Sequence, residues 1–595
     1  MRKKNETLIL ILYICTAAVC AALMYSLRFS FLSCSDSVSE FVYGRIYSFK
    51  YAYDRALNFS LQRGRFGLLF PLVVALRFKI LGTGSPLAAW ALQHIPIAIN
   101  VLLISIIIGK KAGREYGAAY ALFFACLLQV NGWHSLITCY PLDFMYGLTL
   151  AVLGFVLFSK SLKSAGRGRT VLLRIISAIL FYESMQTYEA FLMLSLVYGW
   201  LSIFYALRHT ENRKDLGKLA KTVFAPLAFH ILIAVIFICL RVYVYDHPVV
   251  PTDDGVLDLR STGSAKGFIV TLGAFSGGMF PMADIIHPRV RSGISEYPMT
   301  FIQLLISIVA GIGFFSFFLR AGNCKETDEE RTENNDSLVA IGVSGLITAV
   351  FFPVIHALTG VYQGWVTEGH QFGYVPTTIS YFGWIAFIVC SLSLLIRRRK
   401  KTGRIAAVTA AAVFAALTLI TFGINNALRE EKIGPTNISY SYKAQAFYAV
   451  ACDGVCPENG FDVVFIPDFE GVHDTLMFNE IILRYEWDGE YQVTPIKSGE
   501  EFRNGYDSYE NPGVIRYDYD SDTGIVCSVD SIAEGNYMTN GNIRVVSAHG
   551  GHYSIAYTEY DGESKRYEFD LKPYEGITFE NNEDVLAYSI DITRR

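Results

Sequence analysis

Two carboxylates, Asp36 and Glu40 in "SDSVSE", follow directly on a run of apolar residues that begins at Thr7. A third, Asp143 in "YPLDF", opens another apolar run, and Glu183 and Glu189 in "FYESMQTYEAF" lie where two such runs nearly meet. A carboxylate can take the proton of a hydroxyl that is becoming a nucleophile, provided that cations or hydrogen-bond donors hold the charge of the departing group. Arg63, Arg65, Arg241, Lys266, Arg289 and His370 are candidates for that second duty, with Arg45, Lys79 and Arg291 in the same segments. Each has a plainer reading too. Loop acids are commonly solvated, and basic residues at a membrane surface commonly meet lipid headgroups. Glu183 and Glu189 resist it best, because acids between closely spaced apolar runs are costly unless paired or facing water. They are expected to line a cavity.

The elements that must position these residues are membrane helices. Of 595 residues 52% are hydrophobic and 18% charged, and the apolar residues fall in long blocks rather than in alternating or one-faced patterns. "TLILILYICTAAVCAALMYSLRF" has about the 20 residues needed to cross roughly 30 Å of hydrocarbon, and "MRKK" before it favours a cytoplasmic N-terminus. A cleaved signal peptide fits less well, since the run is too long and no small-residue cleavage site precedes Ser33. The stretch 64–82, "GRFGLLFPLVVALRFKILG", is interrupted by Pro71 and closed by Arg77 and Lys79, and reads as an interfacial or re-entrant helix. Spans are expected near 86–109, 115–133, 137–159, 170–187, 189–207, 222–243, 300–320, 337–359, 374–396 and 405–423, about eleven with the first. The Lys and Arg clusters within 110–114, 160–169, 208–221, 320–331 and 397–404 then all face the cytoplasm. Counting 64–82 as a full span would break that pattern.

The outer face is accordingly built from 30–85, the tips near 134–140 and 183–189, a long loop at 245–299, a short one at 360–373, and everything after about 424. Residues 1–424 read as a transmembrane domain with outer loops 30–85 and 245–299. From 425 to 595 Asp, Glu, Gly, Asn and Tyr replace Leu and Ala, and short β-branched or aromatic runs such as "FDVVFIPDF" and "HYSIAYTEY" alternate with turn residues. A mostly β extracytoplasmic domain follows from that pattern. Tyr43, Tyr47 and Tyr51 recur at helical spacing, either as interface anchors or as one wall of a lipid portal.

Several chemistries have no signature. There is no GxxxxGK(S/T), no GxGxxG between strand and helix and no HExxH. "TDDG" at 252–255 could hold a divalent metal but reads better as a turn. The sequence is compatible with a divalent metal and assigns no metal ligands. Of 11 cysteines most lie in apolar spans as small hydrophobes, while Cys452 and Cys456 could pair outside. His94, His230 and His356 are expected to pack rather than ligate. With no nucleotide-binding element on the cytoplasmic side, chemistry on the outer face would draw on a lipid-linked donor.

The order of a cytoplasmic N-terminus, one span, an acidic and aromatic first outer loop, the string from "GRFGLLFPLVVALRFKILG" to "ALFFACLLQV", and "SLITCYPLDFMYGLTLAVLGFVLF" resembles the GT-C superfamily of membrane glycosyltransferases. Within it the chain is most similar to bacterial O-antigen glucosyltransferase-like proteins, and more distantly to protein mannosyltransferases and lipid A aminoarabinose transferases. The resemblance covers residues 7–210. It implies a catalytic base soon after the first span, a position held by Asp36. The family often shows paired acids there, whereas Ser37 follows Asp36 here, so Glu40 shares the candidacy. A second acid at the outer start of a later span matches Asp143, which would orient substrate.

The sequence thus points to a mainly α, GT-C-like polytopic protein of the bacterial cytoplasmic membrane. Its expected activity is transfer of a sugar from a polyprenyl-phosphate donor to an envelope glycan or lipid-linked acceptor; the alternative is a transporter or flippase of an envelope lipid or polysaccharide. The inverted repeats with broken helices that mark many transporters are not evident. Nucleic acid is not an expected partner. The topology makes a direct prediction: protease added to intact spheroplasts should remove 425–595, and protection of that domain while an outer-face marker is cut would overturn the span count.

Overall fold

The computed structural model describes residues 2–27, 40, 44, 47–62, 64–83, 85–130, 136–137, 141–209, 216–247, 263–280, 299–322, 327–368, 373–398 and 404–433, followed by short strands and isolated residues between 463 and 594. The chain divides into two compact units, Met1–Phe29 with Gly44–Arg429, and Ser30–Tyr43 with Glu430–Arg595.

The first unit is helical. Its elements are α1 (Arg2–Ser26), α2 (Phe49–Gln62), α3 (Phe70–Leu81), α4 (Pro86–Ala112), α5 (Arg114–Leu127), α6 (Pro141–Leu162) and α7 (Arg167–Thr187). A 3-10 turn, Glu189–Leu194, leads into α8 (Ser195–His209), α9 (Leu216–Asp246), α10 (Ala265–Gly277) and α11 (Phe301–Gly322). Then come α12 (Asp328–Phe351), α13 (Val354–Leu358), α14 (Gly360–Thr367), α15 (Val375–Arg398) and α16 (Arg404–Ile433).

Among the described residues nine helical stretches are long and apolar enough to cross a membrane. Two of the expected spans fall short, for different reasons. Helix α5 has 14 residues, about 21 Å at the helical rise, and every residue from Glu115 to Leu127 is buried. Its apolar residues are packed among neighbouring helices. Helix α7 is long enough at 21 residues but carries Arg167, Arg169, Arg174 and Glu183. The stretch around Pro71 forms the 12-residue α3, well short of a span. It turns Val74, Arg77 and Phe78 inward while Leu72 and Leu76 stay exposed.

The core is built where small residues let helices approach and aromatic rings fill the rest. Phe123 of α5 lies 5.6 Å from Phe314, 6.2 Å from Phe317 and 4.6 Å from Phe414, ring centroid to centroid. The Tyr381 hydroxyl donates to the Phe124 carbonyl at 2.8 Å, tying α15 to α5. At the other end of α15, Arg397 donates to the Tyr116 hydroxyl at 2.8 Å and to Asn335 Oδ1 at 2.9 Å. Helices α12 and α15 touch backbone to backbone: a Cβ on Gly345 would lie 2.6 Å from the Gly383 carbonyl oxygen, and one on Gly383 would lie 2.5 Å from that of Gly345.

The second unit is mostly β in its described residues. Strands β1 (Val463–Phe465), β2 (Thr494–Ile496), β3 (Pro512–Tyr517), β4 (Ile525–Val529), β5 (Tyr537–Met538), β6 (Ile543–Ser547), β7 (Gly551–Thr558), β8 (Ser564–Leu571), β9 (Glu575–Phe579), β10 (Val585–Leu586) and β11 (Asp591–Arg594) follow in order. Six make a sheet in the order β2-β1-β3-β4-β6-β9, parallel only where β1 meets β2 and β3. A second sheet, β11-β7-β8, is antiparallel, and its central strand buries Tyr553, Ser554, Ile555 and Tyr557. The "TDDG" and Cys452/Cys456 positions lie outside the described residues.

The glycine contact between α12 and α15 gives a test. Gly345→Ala and Gly383→Ala should each lose about 1–3 kcal/mol by forcing the backbones apart. Gly423→Ala, with open space around it, should not. Apparent melting temperatures in detergent read the difference, and three equal values would contradict the packing.

Candidate active site

Between α2 and α3 the chain runs without helix through residues 65–69, and this short segment meets two buried acids, Glu183 and Glu189. Gly64 opens it at φ +67, a left-handed conformation suited to glycine, and a Cβ there would lie 3.2 Å from the Arg241 side chain. Arg65 then reaches Glu189 through a fork: Nε and Nη2 donate to Oε1 at 3.1 and 3.0 Å, and Nη2 also donates to Oε2 at 2.9 Å. Arg241 of α9 pairs with Oε1 of the same carboxylate. Glu189 stands at the start of the 3-10 turn because α7 stops at Tyr188, whose backbone is extended.

The last turns of α7 hold the rest of the segment. Glu183 accepts from the backbone N–H groups of Leu68 and Leu69 at 3.2 and 3.4 Å, and Gln186 Oε1 accepts from that of Phe66 at 2.6 Å. A Cβ on Gly67 would lie 2.7 Å from Gln186 Cβ, so glycine lets the segment lie this close. The acids expected to line a cavity thus have defined partners: Glu189 binds two guanidiniums and Glu183 binds backbone.

A second ion pair stands next to the first. Asp143, in the first turn of α6, lies 2.7 Å from Arg77 Nη1 of α3, both side chains buried. The Arg65 charge acts on Asp143 as well, so the two pairs form one electrostatic cluster. Asp143 Oδ1 has no hydrogen-bond partner among the described residues. Tyr188 packs beside them, with the Arg65 guanidinium 5.9 Å from its ring centre and Phe144 edge-on at 4.8 Å. Its hydroxyl is hydrogen-bonded to His356 Nε2. Burial, followed by neighbouring Tyr362 and Tyr374, raises that hydroxyl well above the usual tyrosine value, so it stays protonated.

Lys266 is exposed in the first turn of α10. Lys79 donates to the carbonyls of Gly44 and Tyr47 at 2.6 and 2.9 Å and so anchors the chain before α2. Glu40 is buried and groups with the second unit. Asp36, Arg63, Arg289 and His370 lie outside the described residues. Among the described residues no three His, Cys, Asp or Glu side chains gather as a metal site. His230 and His94 pack, the first against Ser177 Oγ at 2.9 Å and the second on the Trp90 carbonyl at 2.9 Å. Arg77, Gln186, Tyr188 and His356 were not among the expected site residues. A charge closing a short apolar run was the available signal for Arg77; the other three give none in sequence.

No family model matches the chain, and no curated protein matches it. Among solved structures it is similar to ArnT from Cupriavidus metallidurans bound to undecaprenyl phosphate, at 14% identity and a TM-score of 0.35, covering 84% of this chain and 92% of that one. It is also similar to the Archaeoglobus fulgidus oligosaccharyltransferase in its apo form, at 11% identity and a TM-score of 0.36, covering 96% of this chain and 76% of that one. Both are of the GT-C class that the sequence resembles.

The Arg77–Asp143 pair can be tested on stability alone. Arg77→Met or Asp143→Leu leaves one buried charge without its partner and should destabilise by about 3–5 kcal/mol. The double variant should lose much less than the sum, as thermal unfolding of all three would show. Additive losses would mean that the two charges do not interact.

Proposed function

We propose that the protein is a membrane glycosyltransferase that moves a sugar from a polyprenyl-phosphate donor to a cell-envelope acceptor on the outer face. The observation that carries this reading is two arginines, Arg65 and Arg241, sharing the single carboxylate of Glu189. Glu183, the next acid, is engaged by backbone N–H groups. The trio of Arg65, Arg241 and Glu189 sets two positive charges against one negative, and Arg241 keeps partial exposure, at 21% of its side chain. An anionic group arriving beside Arg241 would balance that charge, and the phosphate of a lipid-linked sugar is such a group.

In the reaction the acceptor oxygen bonds to the sugar's anomeric carbon as the bond from that carbon to the phosphate oxygen breaks. The hydroxyl proton passes to a carboxylate, and the carrier departs as polyprenyl phosphate, its added charge held by the arginines. The resemblance assigns the base to Asp36, with Glu40 as its neighbour. Asp143 is fixed by Arg77 and has one oxygen without a partner among the described residues, which suits it to orient a sugar or acceptor hydroxyl.

The test is a transfer assay at matched expression, with donor binding measured separately. Asp36→Asn keeps the size but cannot take a proton, and turnover should fall by about 100 to 10,000-fold with donor binding near normal. Asp36→Glu should retain more activity, Asp143→Asn should be intermediate, and Glu40→Gln and Asp54→Asn should cost much less. An active Asp36→Asn beside a dead Glu40→Gln would move the base four residues along. Full activity in every variant would remove the carboxylate mechanism and favour transport.

A further inference from the structure

An apolar groove of about 940 Å³ lies between α1 and α4, on a floor made by α5. It exists because α5 is short and recessed: both longer helices pack on it, and its groove-facing residues include Gly117, Ala118 and Ala121. Ala17 of α1 and Ala98 of α4 keep the walls equally thin. From Tyr13 to Leu27 along α1 the groove runs about 21 Å, the order of an extended fatty acyl chain.

One end of this groove is basic. Lys110 in the last turn of α4 and Arg114 at the start of α5 line it, and both are exposed. Helix α1 runs parallel to α5, since Thr16 reaches the Ala118 carbonyl and Cys20 that of Ala121. The first turn of α1, with Arg2, Lys3 and Lys4 in its sequence, therefore stands at the same end. Glu115, the acid next to Arg114, is buried and lies 3.7 Å from Arg320. By the positive-inside reading this is the cytoplasmic end.

We propose that the groove is a binding site for an anionic phospholipid of the inner leaflet, one acyl chain lying along α5 and the phosphate meeting Lys110 and Arg114. Thin walls accommodate the chain, and the basic end selects an anionic headgroup over a zwitterionic one. The site shares no residue with the arginine cluster around Glu189 and does not depend on the proposed transfer reaction.

Native mass spectrometry of the full-length protein in detergent tests this with phosphatidylglycerol and phosphatidylcholine of matched chains. The wild type should retain phosphatidylglycerol at least about fivefold better. Lys110→Gln with Lys111→Gln and Arg114→Gln should abolish that preference, and Ala17→Trp, at an exposed position on the wall, should lower retention of both lipids. Equal retention by the wild type, or a preference untouched in the triple variant, would overturn the proposal. So would displacement of phosphatidylglycerol by equimolar polyprenyl phosphate, which would make the groove a carrier-lipid site. The wild-type measurement and the triple variant decide the matter even if Ala17→Trp does not fold.

Discussion

A carboxylate buried among membrane helices must be paired, and Glu189 is the point where this constraint organises the structure. Burying it alone would cost several kcal/mol. Two guanidiniums remove that cost, and each comes from a different part of the chain: Arg65 from the segment between α2 and α3, and Arg241 from α9. To deliver Arg65 the chain must leave helix at Gly64, and to deliver Glu189 it must leave helix at Tyr188. The exposed backbone of 65–69 then needs partners of its own, which Glu183 and Gln186 supply. Three irregularities that would each be unfavourable in a lipid setting are mutually satisfied.

The same arrangement explains why a reactive site could lie here. Pairing fixes the arginines, so no reorganisation is needed when negative charge develops nearby. Arg77 and Asp143 extend the field onto α3 and α6, and Tyr188 joins it to His356 and the aromatic residues Tyr362 and Tyr374. The cluster is held by hydrogen bonds and ion pairs on its protein side and partly exposed at Arg241. Preorganised cations beside a partly open face are what departure of a phosphate requires.

Much of the architecture was legible because hydropathy reports directly on which helices meet lipid. The composition change after 424 likewise announced strands, and β7 falls in the aromatic and β-branched run "HYSIAYTEY". Apolar sequence also has a second cause: α5, too short to meet the length of a span, is apolar with protein packed around it. Of the site, the unusual acids Glu183 and Glu189 were visible from their cost alone, and Arg65 and Arg241 from their charge. Their partnership was not, since Arg65 and Glu189 are 124 positions apart and no local pattern links them. Arg77 was passed over because at the end of an apolar run it reads as a boundary residue, whereas the fold turns it inward to Asp143. The hydrogen bond from Tyr188 to His356 depends wholly on tertiary placement.

The central claim is that the shared carboxylate leaves the arginine pair with positive charge for a donor phosphate. The direct measurement compares binding of polyprenyl phosphate with that of the uncharged polyprenol of equal length, by wild type and by Arg241→Gln. The wild type should prefer the phosphate by about tenfold or more, and Arg241→Gln should lose most of that preference while binding the alcohol unchanged. Equal affinities in the wild type, or a preference that survives Arg241→Gln, would contradict the account.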